Sequence, residues 1–385
     1  MKDERNLLQQ EIEFLRATYR TRSDWDCLPE LVNKIAVLTG SAHWAPDKLT
    51  AGVLLYGAGS IGAGALEYFA NHHIKVLGML DDSPGREGTK YHGLDILPFS
   101  FAQRARCPII VSMKNWLVPA TKVVQMGLTC ESFANYVVRT NLQKLEEVCR
   151  DWLVDDRSRL VYLTILKANV LSDYSLFPTI YEDKQYWAIP EFQYLADANA
   201  VMVDAGAYVG QITEEFVLRS HGIFKRIYAF EPNPALHQAL QARAERLTRE
   251  WALPKDAIRC VPAGLGEEAS ELPFFESGVF NMTGGSFLFA QGSPAGRLEI
   301  KQLDSYLAGA PITFLKADVE GFEGSLIRGA SNTIRACRPK IAMSIYHRIN
   351  DMLDIPTMLR ALIPDYKMSV RHHTLSQEDS VLYCF

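Results

Sequence analysis

Two short segments limit the folds open to this chain more than anything else in it. They are "YGAGSIG", Tyr56 to Gly62, and "VDAGAYVG", Val203 to Gly210, about 145 residues later. Each is an apolar run that ends in a glycine-rich turn and leads into a stretch with helical spacing. That is the strand–turn–helix start of a nucleotide-binding α/β layer. Two such starts in 385 residues imply two α/β domains, and the length allows each a real core.

The segments around them read consistently. Leu7, Leu8, Ile12 and Leu15 predict a first helix over 5–20, and a second runs from Pro29 to Thr39 and stops at Gly40. "VLLYGAGSIGAGALEYFANHHIKVLGMLDD" is strand, glycine turn, helix and strand. "PIIVS", Pro108 to Ser112, is a short strand, and "ATKVVQMG" a helix ending at Gly127. From Asn141 to Ser172 the pattern is helical, a bridge between domains. Strands are then predicted near 200–204, 226–230, 257–262, 312–317 and 340–345, with helices near 210–219, 234–249 and 351–362. Such alternation means a mostly parallel sheet covered on both faces. The expected division is a helical segment over 1–50, a Rossmann-like nucleotide-binding-type domain over 51–135, a helical connection over 136–190 and a second domain over 191–385.

The ending breaks the alternation. "YKMSV" and "SVLYCF" are strand-like runs with no room between them for a crossover helix, so they should pair antiparallel. A parallel sheet closed by an antiparallel hairpin is the layout of S-adenosylmethionine (SAM) methyltransferases, not of ordinary dinucleotide folds.

In the second glycine loop an acid, Asp204, ends the strand before the first glycine. Gly206 permits close approach of a ligand, Tyr208 lies inside the loop, and Gly210 opens the helix. Pyrophosphate sites use a helix N-terminus to hold an anion. SAM has no phosphate and carries an ammonium, so an acid here suits SAM better. Glu231 follows Asp204 by 27 positions at the tip of the next strand, in "FEPNP", where a carboxylate can accept from both ribose hydroxyls. Pro232 and Asn233 continue that loop, and Pro234 starts a helix. "FLKADVEGFEGSLIRGA" then delivers Lys316, Asp318 and Glu320 at a strand end. Charges on an otherwise buried strand need partners, whether each other or a ligand.

Together these motifs resemble the FkbM-type SAM-dependent methyltransferases. The resemblance runs from about Leu142 to Phe385 and includes "DDRSRLVYLTILKA", "DKQYWAIPEF", "LGEEASELPFF" and "YHRINDMLDIPTML…HHTLSQEDSVLYCF". It implies SAM as cofactor and O-methylation of a hydroxyl on a sugar, polysaccharide precursor or related natural product. Ala317, where relatives more often carry isoleucine or valine, is a mild departure.

Methyl transfer to a hydroxyl needs in-line positioning and a group to take the proton. Asp318 is the first candidate base, with the alternative that it orients the acceptor or the SAM ammonium. His347, in "SIYHR", is the second, with the alternative of a structural histidine. Glu320 reads as a substrate or backbone-organising contact. "VFNMTGGSFLFAQGSPAG", Val279 to Gly296, is either a flap over the acceptor or a surface loop.

The first loop fits G-x-G-x-x-G at Gly57, Gly59 and Gly62, with Asp81 at ribose-binding spacing. It is either a second nucleotide or nucleotide-sugar site or a scaffold and dimerisation module. The competing functions are therefore a nicotinamide-dependent sugar oxidoreductase or epimerase using this loop, and a non-catalytic nucleotide-binding protein. No Tyr-x-x-x-Lys pair of the short-chain oxidoreductase type lies nearby.

Composition narrows the partners. A formal net charge of −5 and no Lys/Arg run argue against nucleic acid, and the apolar runs are too short to span a bilayer. The seven cysteines form no C-x-x-C pair, so neither a zinc site nor a disulfide framework is expected, and the sites named above include no metal ligand. "MKDERNLLQQEIEFLRATYR" lacks the apolar core of a signal peptide, and the expected location is cytoplasmic. The expected partner is a small-molecule or saccharide acceptor, with a homo-oligomer left open.

Overall fold

A computed structural model describes residues 7–44, 49, 51–274 and 296–385. The chain divides into two compact units. The first comprises Met1–Arg150, Leu160–Ile180 and Arg348–Asn350; the second comprises Asp151–Arg159, Tyr181–His347 and Asp351–Phe385.

The first unit holds strands β1 (Val53–Tyr56), β2 (Val76–Leu80), β3 (Lys90–Tyr91), β4 (Leu94–Asp95), β5 (Ile109–Val111) and β6 (Cys130–Ser132), with helices between β1 and β2, β4 and β5, and β5 and β6. A four-stranded parallel sheet has the order β2-β1-β5-β6, and β3 and β4 form a separate antiparallel pair. β1 is buried throughout, as a parallel strand covered on both faces must be. The helices over Leu7–Tyr19 and Cys27–Thr39 match the sequence pattern, and Gly40 ends the second in a left-handed cap.

The second unit is built on β7 (Val201–Ala205), β8 (Arg226–Phe230), β9 (Ile258–Val261), β10 (Gly264–Gly266), β11 (Ser270–Phe274), β12 (Gly296–Gln302), β13 (Phe314–Ala317), β14 (Lys340–Ser344), β15 (Met368–His372) and β16 (Ser380–Cys384). Its main sheet has the order β15-β16-β14-β13-β7-β8-β9. The five strands from β14 to β9 run parallel, whereas β16 pairs antiparallel with both β14 and β15. The expected sheet closed by an antiparallel C-terminal hairpin is therefore present. The order reverses between β7 and β13, and the site forms at the carboxyl ends of these strands.

Side chains explain why the sheet holds. β7 is buried over its whole length, and Trp187, Phe192 and Phe216 pack around Phe314 with ring centroids 5.4 to 6.2 Å apart. Gly210 begins the helix Gln211–Arg219 at φ +85°, where a β-carbon would lie 2.8 Å from Leu240. Asn233 caps the helix Pro234–Glu250, accepting from the amides of Ala235 and Leu236, with Pro234 at the first helical position. The small sheet of β10, β12 and β11 is not foreseen by the alternation argument. Its strands come from "GLG", "SELPF" and "GRLEIKQ", too short or too polar to stand out. Of the expected flap at 279–296, only Gly296 lies within the described residues.

Candidate functional site

β7 ends in the turn Gly206–Ala207–Tyr208, which is held down from two sides. The amides of Gly206 and Ala207 donate to the carbonyl of Phe230 at 3.1 and 2.9 Å. The amide of Tyr208 donates to Glu231 Oε2 at 2.9 Å, while that of Asn233 donates to Glu231 Oε1 at 2.8 Å. Gly206 has no substitute here. Its φ is +73°, and a β-carbon would sit 1.8 Å from the carbonyl oxygen of Asp318. Tyr208 takes the left-handed region too, at φ +52°, as the turn requires.

A cavity of about 320 Å³ opens over this turn. Gly206, Tyr208, Glu231, Pro232 and Asn233 line it, together with Asp318 and Glu320 from the loop after β13. These are seven of the residues singled out from sequence. Tyr186, Gln185, Tyr346 and Asp379 line it as well, none of which the sequence argument named. Tyr186 lies inside the "DKQYWAIPEF" segment and Tyr346 just before His347, but nothing in their spacing announced a role.

Three expected residues stand elsewhere. Gly210 shapes the start of the helix and is not in the cavity wall. Asp204 is fully buried and also absent from the wall: Thr213 Oγ1 donates to its Oδ2 at 2.7 Å, and Lys316 Nζ lies 3.2 Å from its Oδ1. The Lys316 ammonium donates in turn to the carbonyl of Gly206 at 2.7 Å. Asp204 thus supports the turn through Lys316 and does not face the cavity directly.

His347 is the third. Its Nδ1 lies 3.0 Å from Glu323 Oε1, and its Nε2 lies 3.4 Å from Asp318 Oδ1 and 3.7 Å from Glu320 Oε2. Burial disfavours the charged ring, but Glu323 first, then Asp318 and Glu320, outweigh it and push the pKa up to about 10. An imidazolium has no lone pair to offer, and this charge state disfavours His347 as the base. Asp318, Glu323 and His347 are close enough to hold a metal ion, with ligand atoms within 4.8 Å of one another. With the ring protonated, the same three side chains form an ion-paired cluster in which Nδ1 faces Glu323 and Nε2 faces Asp318. The set neutralises a protonated imidazole.

Asp318 is crowded with donors. Tyr186 donates to its Oδ2 at 2.8 Å and Tyr346 to its Oδ1 at 3.2 Å. Burial opposes its ionisation, yet the charges of His347 and Lys316 and the Tyr186 hydroxyl hold its pKa below the ordinary carboxylate value. It is a well-fixed anion and a poor proton acceptor. Glu231 and Glu320 behave oppositely. Burial pushes Glu231 up to about 7, against its two backbone hydrogen bonds. Burial, with the nearby charges of Asp318, Glu323 and Glu231, also pushes Glu320 up to about 7 despite His347.

The first glycine loop, in the other unit, is occupied by its own neighbours. Asp81 accepts from the amides of Ala58 and Ser83 at 3.0 and 2.8 Å. Arg86 donates to the carbonyl of Ala58 at 2.7 Å and Tyr91 to that of Gly59 at 2.9 Å. Gly57 has φ +121°, and a β-carbon on Gly62 would sit 2.1 Å from the Gly57 carbonyl oxygen. The glycines at 57 and 62 are accounted for by this tight turn alone.

The fold and the cavity at the switch point define a methyltransferase-type α/β unit. Residues 204–366 match the family model described as the methyltransferase FkbM domain, and this part of the chain is an FkbM methyltransferase domain. Among solved structures, methyltransferase FkbM from Methylobacillus flagellatus KT aligns over 98% of this chain and 99% of its own, at 19% identity and a TM-score of 0.53. That likeness covers both units and concerns the fold. An rRNA methylase from Streptococcus thermophilus (15% identity, 49% of this chain and 87% of its own, TM-score 0.29) is also similar. So is precorrin-8w decarboxylase from Methanobacterium thermoautotrophicum (15%, 54% and 92%, TM-score 0.30); these low scores add nothing to the assignment. No curated protein matches the chain significantly. Among the described residues no helix is long and apolar enough to cross a membrane.

Proposed function

We propose that the second unit transfers the methyl group of SAM to a hydroxyl of a sugar, polysaccharide precursor or related natural product. The observation that carries this reading is the Glu231 carboxylate. It lines the cavity at the tip of β8, fixed by the amides of Tyr208 and Asn233. Each oxygen keeps a lone pair, which suits it to accept from two ribose hydroxyls. The cavity volume falls in the range of small-ligand sites, and Gly206 leaves its surface free of a side chain.

SAM supplies an electrophilic methyl group on a positively charged sulfur. The residues supply position and charge. Asp318, already ionised and held by two tyrosines, fits a cation or an acceptor hydroxyl. Lys316 fixes the carbonyl of Gly206, so the turn cannot swing into the cavity. Acceleration by such an arrangement comes mainly from orientation.

Titration calorimetry with SAM and with NADH tests the reading directly. Binding of SAM, its weakening by about 1–3 kcal/mol in Glu231→Ala and no heat with NADH are expected. Binding of NADH alone would reject the proposal.

A further inference from the structure

Resting on the methyl-transfer reading, we propose that Glu320, rather than Asp318 or His347, takes the proton of the acceptor hydroxyl. Glu323, across the His347 ring from it, serves as a positioning residue.

The argument is one of access and saturation. Asp318, Glu320 and His347 cluster together, but only Asp318 and Glu320 line the cavity. Asp318 accepts from Tyr186 and Tyr346 and faces His347, so two hydroxyl donors and a neighbouring charge already stabilise its ionised form. Glu320 accepts no hydrogen bond among the described residues. Its nearest charged partner is His347 Nε2 at 3.7 Å, and its side chain is 32% exposed. A free carboxylate at the wall has lone pairs for a ligand proton and an edge open to water.

The backbone aims it there at a cost. Glu320 lies at φ +54°, a region that disfavours residues with a β-carbon, and Gly321 follows at φ +92°. Strain of this sort persists where the surroundings over-determine it and concentrates at functional sites. The surroundings here are Glu323 and His347. Glu323 Oε1 accepts from the amide of Val319, next to Glu320, and lies 3.0 Å from His347 Nδ1. The imidazolium is thereby locked with Nε2 toward Asp318 and Glu320.

The charges facing Glu320 are those of His347, Asp318, Glu323 and Glu231. Three are acids and one is a base, so the site favours proton uptake. In the step itself the acceptor oxygen forms a bond to the methyl carbon. The carbon–sulfur bond breaks and its electron pair stays on sulfur, leaving a neutral thioether. The hydroxyl proton moves to Glu320 and from there to solvent.

The test uses the full chain, SAM and methyl glycosides of glucose, galactose and rhamnose, with release of S-adenosylhomocysteine as the signal. Glu320→Gln should lower kcat by about 10²–10⁴-fold, with S-adenosylhomocysteine affinity within about twofold, and should remove the acid limb of the rate profile. Glu320→Asp should recover part of the rate. An E320Q variant with near-normal kcat would overturn the assignment. Independently, the Glu320 carboxyl carbon resonance, assigned by its disappearance in E320Q, should titrate close to neutrality in the S-adenosylhomocysteine complex. A carboxyl fully ionised at pH 5 would also overturn it. If the wild type methylates none of the glycosides while binding SAM, the acceptor class fails and the assignment of Glu320 falls with it, whereas a near-normal rate in E320Q overturns the assignment alone.

Discussion

Lys316 and Asp204 face each other across adjacent parallel strands, with Nζ 3.2 Å from Oδ1 and the two side chains 3% and 0% exposed. Buried pairs of this kind add little net stability, but removing one partner leaves the other's charge uncompensated. Asp204→Asn or Lys316→Met should therefore cost about 3–5 kcal/mol in denaturant unfolding. The double variant Asp204→Asn/Lys316→Met should cost less than the two single changes added together. Additive losses would show that the residues act separately.

Glu231 links ligand binding to pH. Its carboxyl is pushed up to about 7 by burial, and only the ionised form can accept from two hydroxyls. SAM affinity should rise with pH up to about 7 and then level off. Glu231→Gln should weaken binding by about 1–3 kcal/mol and flatten the pH dependence. The stability of the free protein follows the opposite sense. Between the ordinary value of 4.5 and about 7 the folded state holds the proton that the unfolded state has lost. This group therefore destabilises the unit as pH rises through that window. Calorimetry at pH 5.5 and 8 checks the first effect, and thermal unfolding of wild type against E231Q the second.

Much of this is legible in the sequence, for specific reasons. The hairpin of β15 and β16 followed from a connection too short for a crossover, and Glu231 from its strand-tip spacing. Gly206 was legible because a close backbone approach admits no side chain. Asp204 was placed correctly on its strand but misjudged in direction, because period-two patterning says nothing about which buried cation lies alongside. The sequence brings Asp318, Glu320 and His347 together, but the order it gives them as bases, Asp318 and then His347, rests on strand position alone. The order of their proton affinities depends on Tyr186, Glu323 and Tyr346, which tertiary structure brings in from distant segments. Proton affinity belongs to the cluster and not to any motif.

The His347 charge should appear as a pH-dependent stability of the second unit. The ring keeps its proton up to about 10 when folded and about 6.5 when unfolded, because Glu323, Asp318 and Glu320 surround it. Its contribution is complete below 6.5 and is lost as pH rises toward 10. Thermal unfolding of the wild type should show a steeper decline over that window than His347→Gln. Parallel curves would mean that the ring is neutral when folded.

Gly206→Ala tests whether the turn can tolerate any side chain. The new β-carbon would meet the Asp318 carbonyl oxygen at 1.8 Å, and the backbone would be held at φ +73°. Conformational strain alone is about 1–3 kcal/mol, and the clash forces the two loops apart. SAM binding should be lost while far-ultraviolet circular dichroism remains close to that of wild type. Normal affinity in the variant would place the ligand away from this turn.

Asp81→Ala addresses the first glycine loop. The Asp81 carboxylate holds the amides of Ala58 and Ser83, so its removal leaves two donors to find water or another partner. A loss of about 1–3 kcal/mol in the stability of the first unit is expected. If the loop is scaffold, SAM affinity should stay within about twofold of wild type, because every proposed SAM contact belongs to the second unit. Calorimetry on the folded D81A variant makes the comparison, and hydrogen exchange of the amides around Gly57 to Gly62 shows whether the turn has loosened. A loosened turn with unchanged SAM binding would separate the two glycine loops by role. A large drop in affinity from a protein that remains folded would mean that the first loop contributes to the same ligand.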